Sequence, residues 1–422
     1  MRKFLPFLIF AMAAVLALSC NQRPAPTGKT AADILGSPDY QAICYGGYRD
    51  RTREIQPTIP QLKEDMKILS AMGIRIVRTY NVHLDEAANL LEAIRQMKTD
   101  DPEFEMYVML GAWIDCKNAW TDLPDRIRNE ESPRNEVEIK RAVELTQQYP
   151  DIVKIIAVGN ESMVHWAWDY YVVPAIILKW VKHLQNLKKE GDLPETLWIT
   201  SSDNYAAWGG GGPEYHLEDL NQLIREVDFI SLHTYPMHET HYFQEFWNVP
   251  QRQEGLPDLE KIDSAMVRAR NYAIAQYESV AAYMKSLGVD KPVHIGETGW
   301  ATVSEGLYGD TGSRATDEYK SAAYYRMMRN WTNTNGISCF WFEAFNEQWK
   351  DASNPLGSEN HFGLINLQAQ AKFALWDLVD AGIFAGLTRD GNEITKTFYG
   401  DTAVMMQTVK VPPALIDTVT SK

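Results

Sequence analysis

Short apolar runs rich in β-branched residues alternate with segments of helical spacing from residue 42 almost to the end of the chain. The runs predict strands at Ala42–Gly46, Ile74–Tyr80, Met106–Ala112, Ile152–Asn160, Leu197–Ser202, Asp228–Tyr235, Val293–Glu297 and Ile337–Glu343. Between them apolar residues recur at helical spacing, as in Leu62, Met66, Leu69 and Met72, or Ala87, Leu91, Ile94 and Met97. Strands apolar on both faces belong to parallel sheets covered by helices. Eight of them, each followed by a helix, predict an α/β fold: a (β/α)8 TIM barrel with right-handed crossovers. No composition break divides residues 40–390, so one domain is expected there. Residues 203–226, with Gly209 to Gly212, read as a long loop on the catalytic face. No Gly-Lys-Ser/Thr follows those glycines, which excludes a phosphate loop. Residues 391–422 read as an appendage on the barrel.

Two of the predicted strands end abruptly in a carboxylate. One is Ile155-Ile156-Ala157-Val158-Gly159-Asn160-Glu161, the other Val293-His294-Ile295-Gly296-Glu297. The C-terminal strand ends of such a barrel form its catalytic face. A carboxyl pair there suits glycoside hydrolysis, in which one group protonates the leaving oxygen and the other attacks or activates water.

Net charge narrows the partners. A formal charge of −15 argues against nucleic acid, because phosphate binding needs a basic surface. The 13 Trp and 20 Tyr provide flat faces on which sugar rings stack, although most such residues in a chain of this size pack in the core. The first 19 residues read as a signal peptide: Arg2 and Lys3, then an apolar run from Phe4 to Leu18 that is too short to span a bilayer. Ala17-Leu18-Ser19-Cys20 resembles a bacterial lipobox, with Cys20 as the lipidated first residue of the mature chain. Residues 20–39 are then a lipidated cysteine and flexible tether. The expected location is the bacterial cell envelope, on the periplasmic or surface side of an outer membrane touched only through the lipid. Of the other cysteines, Cys44, Cys116 and Cys339, an odd number, read as buried free thiols; a Cys44–Cys339 bond is the less favoured alternative.

Six motifs in chain order resemble glycoside hydrolase family 17, the retaining β-1,3-glucanase family. They are Cys44-Tyr45-Gly46, Val77-Arg78-Thr79-Tyr80, Val108-Met109-Leu110-Gly111, Val158-Gly159-Asn160-Glu161, Glu297-Thr298-Gly299-Trp300 and Phe345-Asn346-Glu347-Gln348-Trp349-Lys350. Gly296 and Ala301 stand where the family usually has Ser and Pro. Glu343-Ala344-Phe345 is more similar to the family's bacterial branch than to its plant branch. The resemblance implies a retaining β-1,3-glucan hydrolase working by double displacement on laminarin-like glucan or its oligosaccharides; with the lipobox the expected protein is lipid-anchored, and a monomer is expected. It implies no cofactor.

Roles follow for named residues. Glu161 is the expected general acid and base, and Glu297 the expected nucleophile. Asn160 is placed to donate to a sugar 2-hydroxyl. Tyr235 is placed to orient Glu297, and His233 either to bind sugar or to support a neighbour. Glu343, Glu347 and Lys350 cluster after the eighth strand, where Lys350 could keep Glu297 ionised or bind a glucosyl hydroxyl. Tyr45, Tyr80, Trp113, Trp300 and Phe345 lie at or just beyond strand ends and are candidates for sugar contact. His238-Glu239-Thr240-His241 lacks the spacing of a helical zinc motif; it reads as a loop, and no metal site is expected. Two alternatives remain open. One is a β-1,3-glucanosyltransferase using the same pair, the other a non-catalytic glycan-binding lipoprotein.

Overall fold

The structure is a computed structural model that describes residues 28–415. Eight parallel strands close into a barrel: β1 (Gln41–Cys44), β2 (Ile74–Arg78), β3 (Tyr107–Ala112), β4 (Val153–Asn160), β5 (Trp198–Asn204), β6 (Ile230–His233), β7 (Val293–Gly299) and β8 (Cys339–Phe342). Closure is through β1 and β8, with Ala42 opposite Phe340 and Ile43 opposite Trp341. Each strand is followed by helical crossover structure. The long helices are α1 (Ile59–Ala71), α2 (Asp85–Asp100), α3 (Arg134–Gln148), α4 (Pro174–Glu190), α5 (Glu218–Glu226), α6 (Asp258–Ser286) and α7 (Glu318–Thr334). Every residue of β3 is buried, and so is all of β4 except Asn160. This two-faced burial is what their unbroken apolar sequence requires.

Local chemistry sets several boundaries. Thr58 and Gln61 form a reciprocal capping box at the start of α1. Asp317 caps α7 by accepting from the Lys320 amide at 2.8 Å. Residues 203–226 differ from the expected long loop. A tight helical turn occupies Ala206–Gly210, and α5 follows, burying Leu220, Leu223 and Ile224 on one face. The glycines serve close packing there: a Cβ on Gly209 would lie 2.2 Å from the Tyr283 ring of α6. His238–His241 is likewise helical, within Pro236–Tyr242, where Pro236 occupies the first turn and needs no amide partner.

Two outer segments depart from their expected boundaries. The tether reading fails for residues 28–39: Ala31–Ile34 is a capped helical turn whose Ala31 and Ile34 are fully buried. The Gly36 amide donates to Ser338 Oγ at 2.8 Å, which docks this segment beneath the start of β8. Cys20 and the leader lie outside the described residues. At the other end, the hairpin of Thr388–Arg389 with Asn392–Glu393 straddles the expected boundary at 390. The chain beyond it continues along the barrel: Thr395–Lys396 pairs with Gln370–Ala371, Met405 is buried, and Leu415 bonds Val249. Cys44, Cys116 and Cys339 are free and buried.

Candidate active site

Strand register brings the site together. Asn160 lies opposite Ser202, Asn204 opposite His233, and His233 opposite Glu297. These residues stand at the C-terminal ends of β4 to β7, around a cleft of about 980 Å³. Glu161 follows β4 directly in a left-handed conformation, φ 48°. A side chain seldom adopts that backbone, and it costs roughly 1–2 kcal/mol. The Glu161 amide donates to Ser202 O at 2.9 Å, and the Met163 amide to Asp203 at 2.7 Å, so β5 holds the turn.

Glu161 and Glu297 face each other. One carboxylate oxygen from each, together with a ring nitrogen of His233, lie within 4.8 Å of one another. Their environments differ. Glu297 is gripped by the Arg78 guanidinium and accepts from Tyr235 Oη at 2.7 Å. Burial works against its charge, but the His233 ring, the Arg78 guanidinium and the tyrosine hydroxyl together outweigh burial and hold this carboxyl below the usual range. Glu161 has no such cation of its own. Burial, with the charges of Glu297 and Asp203 beside it, pushes its carboxyl well above the usual range. The two environments thus favour a proton on Glu161 and a charge on Glu297.

His233 sits beneath the pair, fully buried, so it contacts neighbours rather than sugar. Burial lowers its pKa to about 3, which leaves the ring neutral. Nδ1 lies 3.0 Å from Glu161 and 3.6 Å from Glu297, and Nε2 lies 2.7 Å from Ser202 Oγ. Ser202 Oγ is also 2.7 Å from Ser231 Oγ. A hydroxyl donated to Nε2 leaves the proton on Nδ1, directed at the carboxylates. Gly296 makes room for this chain: a Cβ there would lie 2.0 Å from Ser231 Oγ and 2.6 Å from Ser202 Oγ.

Arg78, within the second-strand motif, has a role that the sequence reading misses. The signal was there, a charged residue closing an apolar strand as Glu297 does. Its Nη2 donates to Asn160 Oδ1 at 2.5 Å, which turns the Asn160 amide nitrogen away to meet a ligand. The task assigned to Lys350, keeping Glu297 ionised, therefore falls to Arg78. Lys350 instead pairs with Glu343 and lies 3.2 Å from Glu347. Glu343 is buried beneath them and does not line the cleft, whereas Glu347 and Lys350 do. A Cβ on Gly46 would lie 2.2 Å from Glu347 Oε1, so the glycine after β1 lets that carboxylate approach.

The aromatic candidates divide. Tyr80, Trp113 and Tyr235 line the cleft. Tyr45 reaches its wall but is buried, with its hydroxyl on Asp65 at 2.8 Å. Trp300 and Phe345 do not line it. Trp300 is fully buried against Trp247 and Tyr324, with its indole N–H on Ala315 O at 2.8 Å. Phe345 packs between the Tyr45 edge and the Arg389 guanidinium. Leaving a strand end does not decide which way a side chain turns. Exposed rings on the rim instead come from loops and short helices: Trp120, Trp166 and Tyr242 are each more than half exposed and line the cleft. Glu161, His233 and Glu297 also have metal-ligand spacing, but Arg78, Tyr235 and Ser202 already engage that set.

Residues 42–363 match the model of the BtgE/BtgC glycoside hydrolase domain. The chain belongs to that family. The BtgE/BtgC assignment agrees with the glycoside hydrolase family 17 motifs of the strand ends. Within this family, a probable glucan endo-1,3-beta-glucosidase btgC of Aspergillus clavatus is 23% identical over 76% of this chain. The chain spans about two fifths of the length of that relative, 39%. A glucan 1,3-beta-glucosidase of Schizosaccharomyces pombe is 23% identical over 88% of this chain and 98% of its own length. The crystal structure of an endo-laminarinase from Formosa Hel1_33_131 superposes with a TM-score of 0.91. That protein is 59% identical, over 93% of this chain and 100% of its own.

Proposed function

We propose that this chain is a retaining β-1,3-glucan hydrolase that cuts within laminarin-like chains, with Glu161 as general acid and base and Glu297 as nucleophile. The observation that carries the reading is the close, unequally charged pair of Glu161 and Glu297. Carboxyl groups about 5 Å apart suit a covalent intermediate, whereas a water-inserting inverting enzyme needs roughly 6.5–9.5 Å. The endo-laminarinase likeness supports the substrate and the internal cut.

The steps follow from the site. Protonated Glu161 donates to the glycosidic oxygen while ionised Glu297 attacks C1 from the opposite face. Tyr235 and Arg78 orient that carboxylate, and Asn160 donates to the 2-hydroxyl as charge develops. Glu161, now ionised, then takes a proton from water, which displaces Glu297 with net retention. NMR of laminarin digestion tests this: β-configured reducing ends should appear first. α-Ends first would mean inversion, no new ends would leave a glycan binder, and products longer than the starting oligosaccharide would indicate transfer.

Lipid attachment at Cys20 is a further part of this reading, supported by the leader composition. Cys20→Ala should move the protein from the membrane fraction to the soluble one and abolish labelling by a fatty-acid probe. Labelling that persists would refute it.

A further inference from the structure

The cleft has a second sector, formed by the loops after β8, β1 and β2, which are neighbours around the barrel. Tyr48 and Arg53 follow β1, Glu86 opens α2, and Glu347 and Trp349 follow β8; all five line the cleft. Among these five residues, two buried polar atoms have no hydrogen-bond partner among the described residues: Glu86 Oε1 and Trp349 Nε1. Folded proteins rarely leave such atoms unmatched. Neither group is loosely held. The Glu86 amide donates to Gln56 Oε1 at 3.0 Å, and Tyr48 Oη is 3.4 Å from the same oxygen. The Arg53 guanidinium lies 4.2 Å from the Trp349 ring centroid, and Tyr48 meets that ring edge-on at 6.0 Å.

We propose that Glu86 and Trp349 form a subsite for a glucosyl unit away from the cleaved bond, recognised through hydrogen bonds to its hydroxyls. The inference rests on the β-1,3-glucan reading above. The indole N–H can only donate. Burial, and then the negative charge of Glu347 nearby, push the Glu86 carboxyl well up, toward the protonated form that can both donate and accept. A neutral, hydroxyl-rich ring matches this pair. An anion is disfavoured by Glu347.

The test uses the full chain made inactive by Glu297→Gln, titrated calorimetrically with a β-1,3-linked glucohexaose. Adding Glu86→Ala or Trp349→Phe should each weaken binding about tenfold, the worth of one hydrogen bond to a ligand. Trp349→Phe keeps a ring and removes only an unmatched donor, so the melting temperature of the free protein should stay or rise while affinity falls. A purely structural tryptophan would do the reverse. Should Glu86→Ala lower the melting temperature, Trp349→Phe decides alone. Affinities within twofold of the parent would overturn the subsite, provided that wild type releases reducing sugar from the same hexaose. A wild type that leaves the hexaose uncut would overturn the hydrolase reading, and the subsite with it.

Discussion

Arg78 at the end of β2 is ion-paired with Glu297 on β7, and the second carboxylate oxygen of Glu297 is taken by Tyr235, two residues beyond β6. Two strands and the turn after a third thus converge on one carboxylate. Arg78 is only 1% exposed, so its charge acts through protein rather than water. Arg78→Met should remove the permanent positive charge that helps hold the Glu297 carboxyl down. The acid limb of the kcat/KM profile should move upward, by about one unit or more, and kcat should fall at least tenfold. An unmoved acid limb would show that Arg78 does not set the charge of Glu297.

The two carboxylates should separate chemically. Glu161→Ala should lose about 10²–10⁴-fold on glucan, the share of general acid catalysis, and less on the first step with an aryl glucoside. Azide should then intercept its glycosyl-enzyme and give the β-azide. Glu297→Ala should be worse on both substrates, and azide should give the α-azide. The opposite stereochemistry would reverse the roles.

Glu161 should cost the fold stability at neutral pH. Its pKa is raised by folding, so the native state binds the extra proton. The stability this represents is complete below the unfolded value, about 4.3, and is lost as pH rises toward the folded value. Glu161→Gln cannot ionise. Its melting temperature relative to wild type should therefore rise with pH from about 4 upward. A difference that stays constant with pH would contradict the direction of the shift.

Gly296 and Ser231 should be energetically coupled. Gly296→Ala drives a methyl into Ser231 Oγ and should destabilise by about 1–3 kcal/mol. Ser231→Gly should relieve part of that cost in the double variant. A double-mutant cycle in urea measures it; an additive result would mean that the strain is taken elsewhere.

Trp300→Phe should lower stability by about 1 kcal/mol or more, because the Ala315 carbonyl loses its buried donor. KM on laminarin should not change. Trp113→Ala, at the cleft wall, should raise KM. A KM effect at Trp300 would place that ring nearer to sugar than the structure does.

The barrel and its carboxylate pair were legible because each is a local pattern. An apolar run buried on both faces must be a core strand, and a Glu that ends one must stand at the rim of the packed interior. All eight strands appear within a few residues of their expected ends. Helix α5 and the helix at Pro236–Tyr242 were hidden by glycine, proline and histidine, which signal loops until packing overrides them. The segment at Ala31–Ile34 looked like tether because its small apolar face means little without Ser338 and the base of β8 to receive it.

Sequence by itself determined the strand succession, the face at which the cleft opens, and two acidic residues at its rim that the barrel brings face to face. It could not say which of several charged groups would meet. Arg78 rather than Lys350 holds Glu297, and Ser202 rather than a carboxylate holds His233 Nε2. Those choices depend on barrel closure and strand stagger, which set residues more than 200 positions apart, such as Arg78 and Glu297, at hydrogen-bond distance. Side-chain direction beyond a strand end was equally invisible. Trp300 and Trp349 follow β7 and β8 alike, yet packing buries the first and leaves the second at the cleft wall. Short-range patterns write strands and helices into a chain; which polar atoms find one another is settled only when the barrel closes and water is excluded.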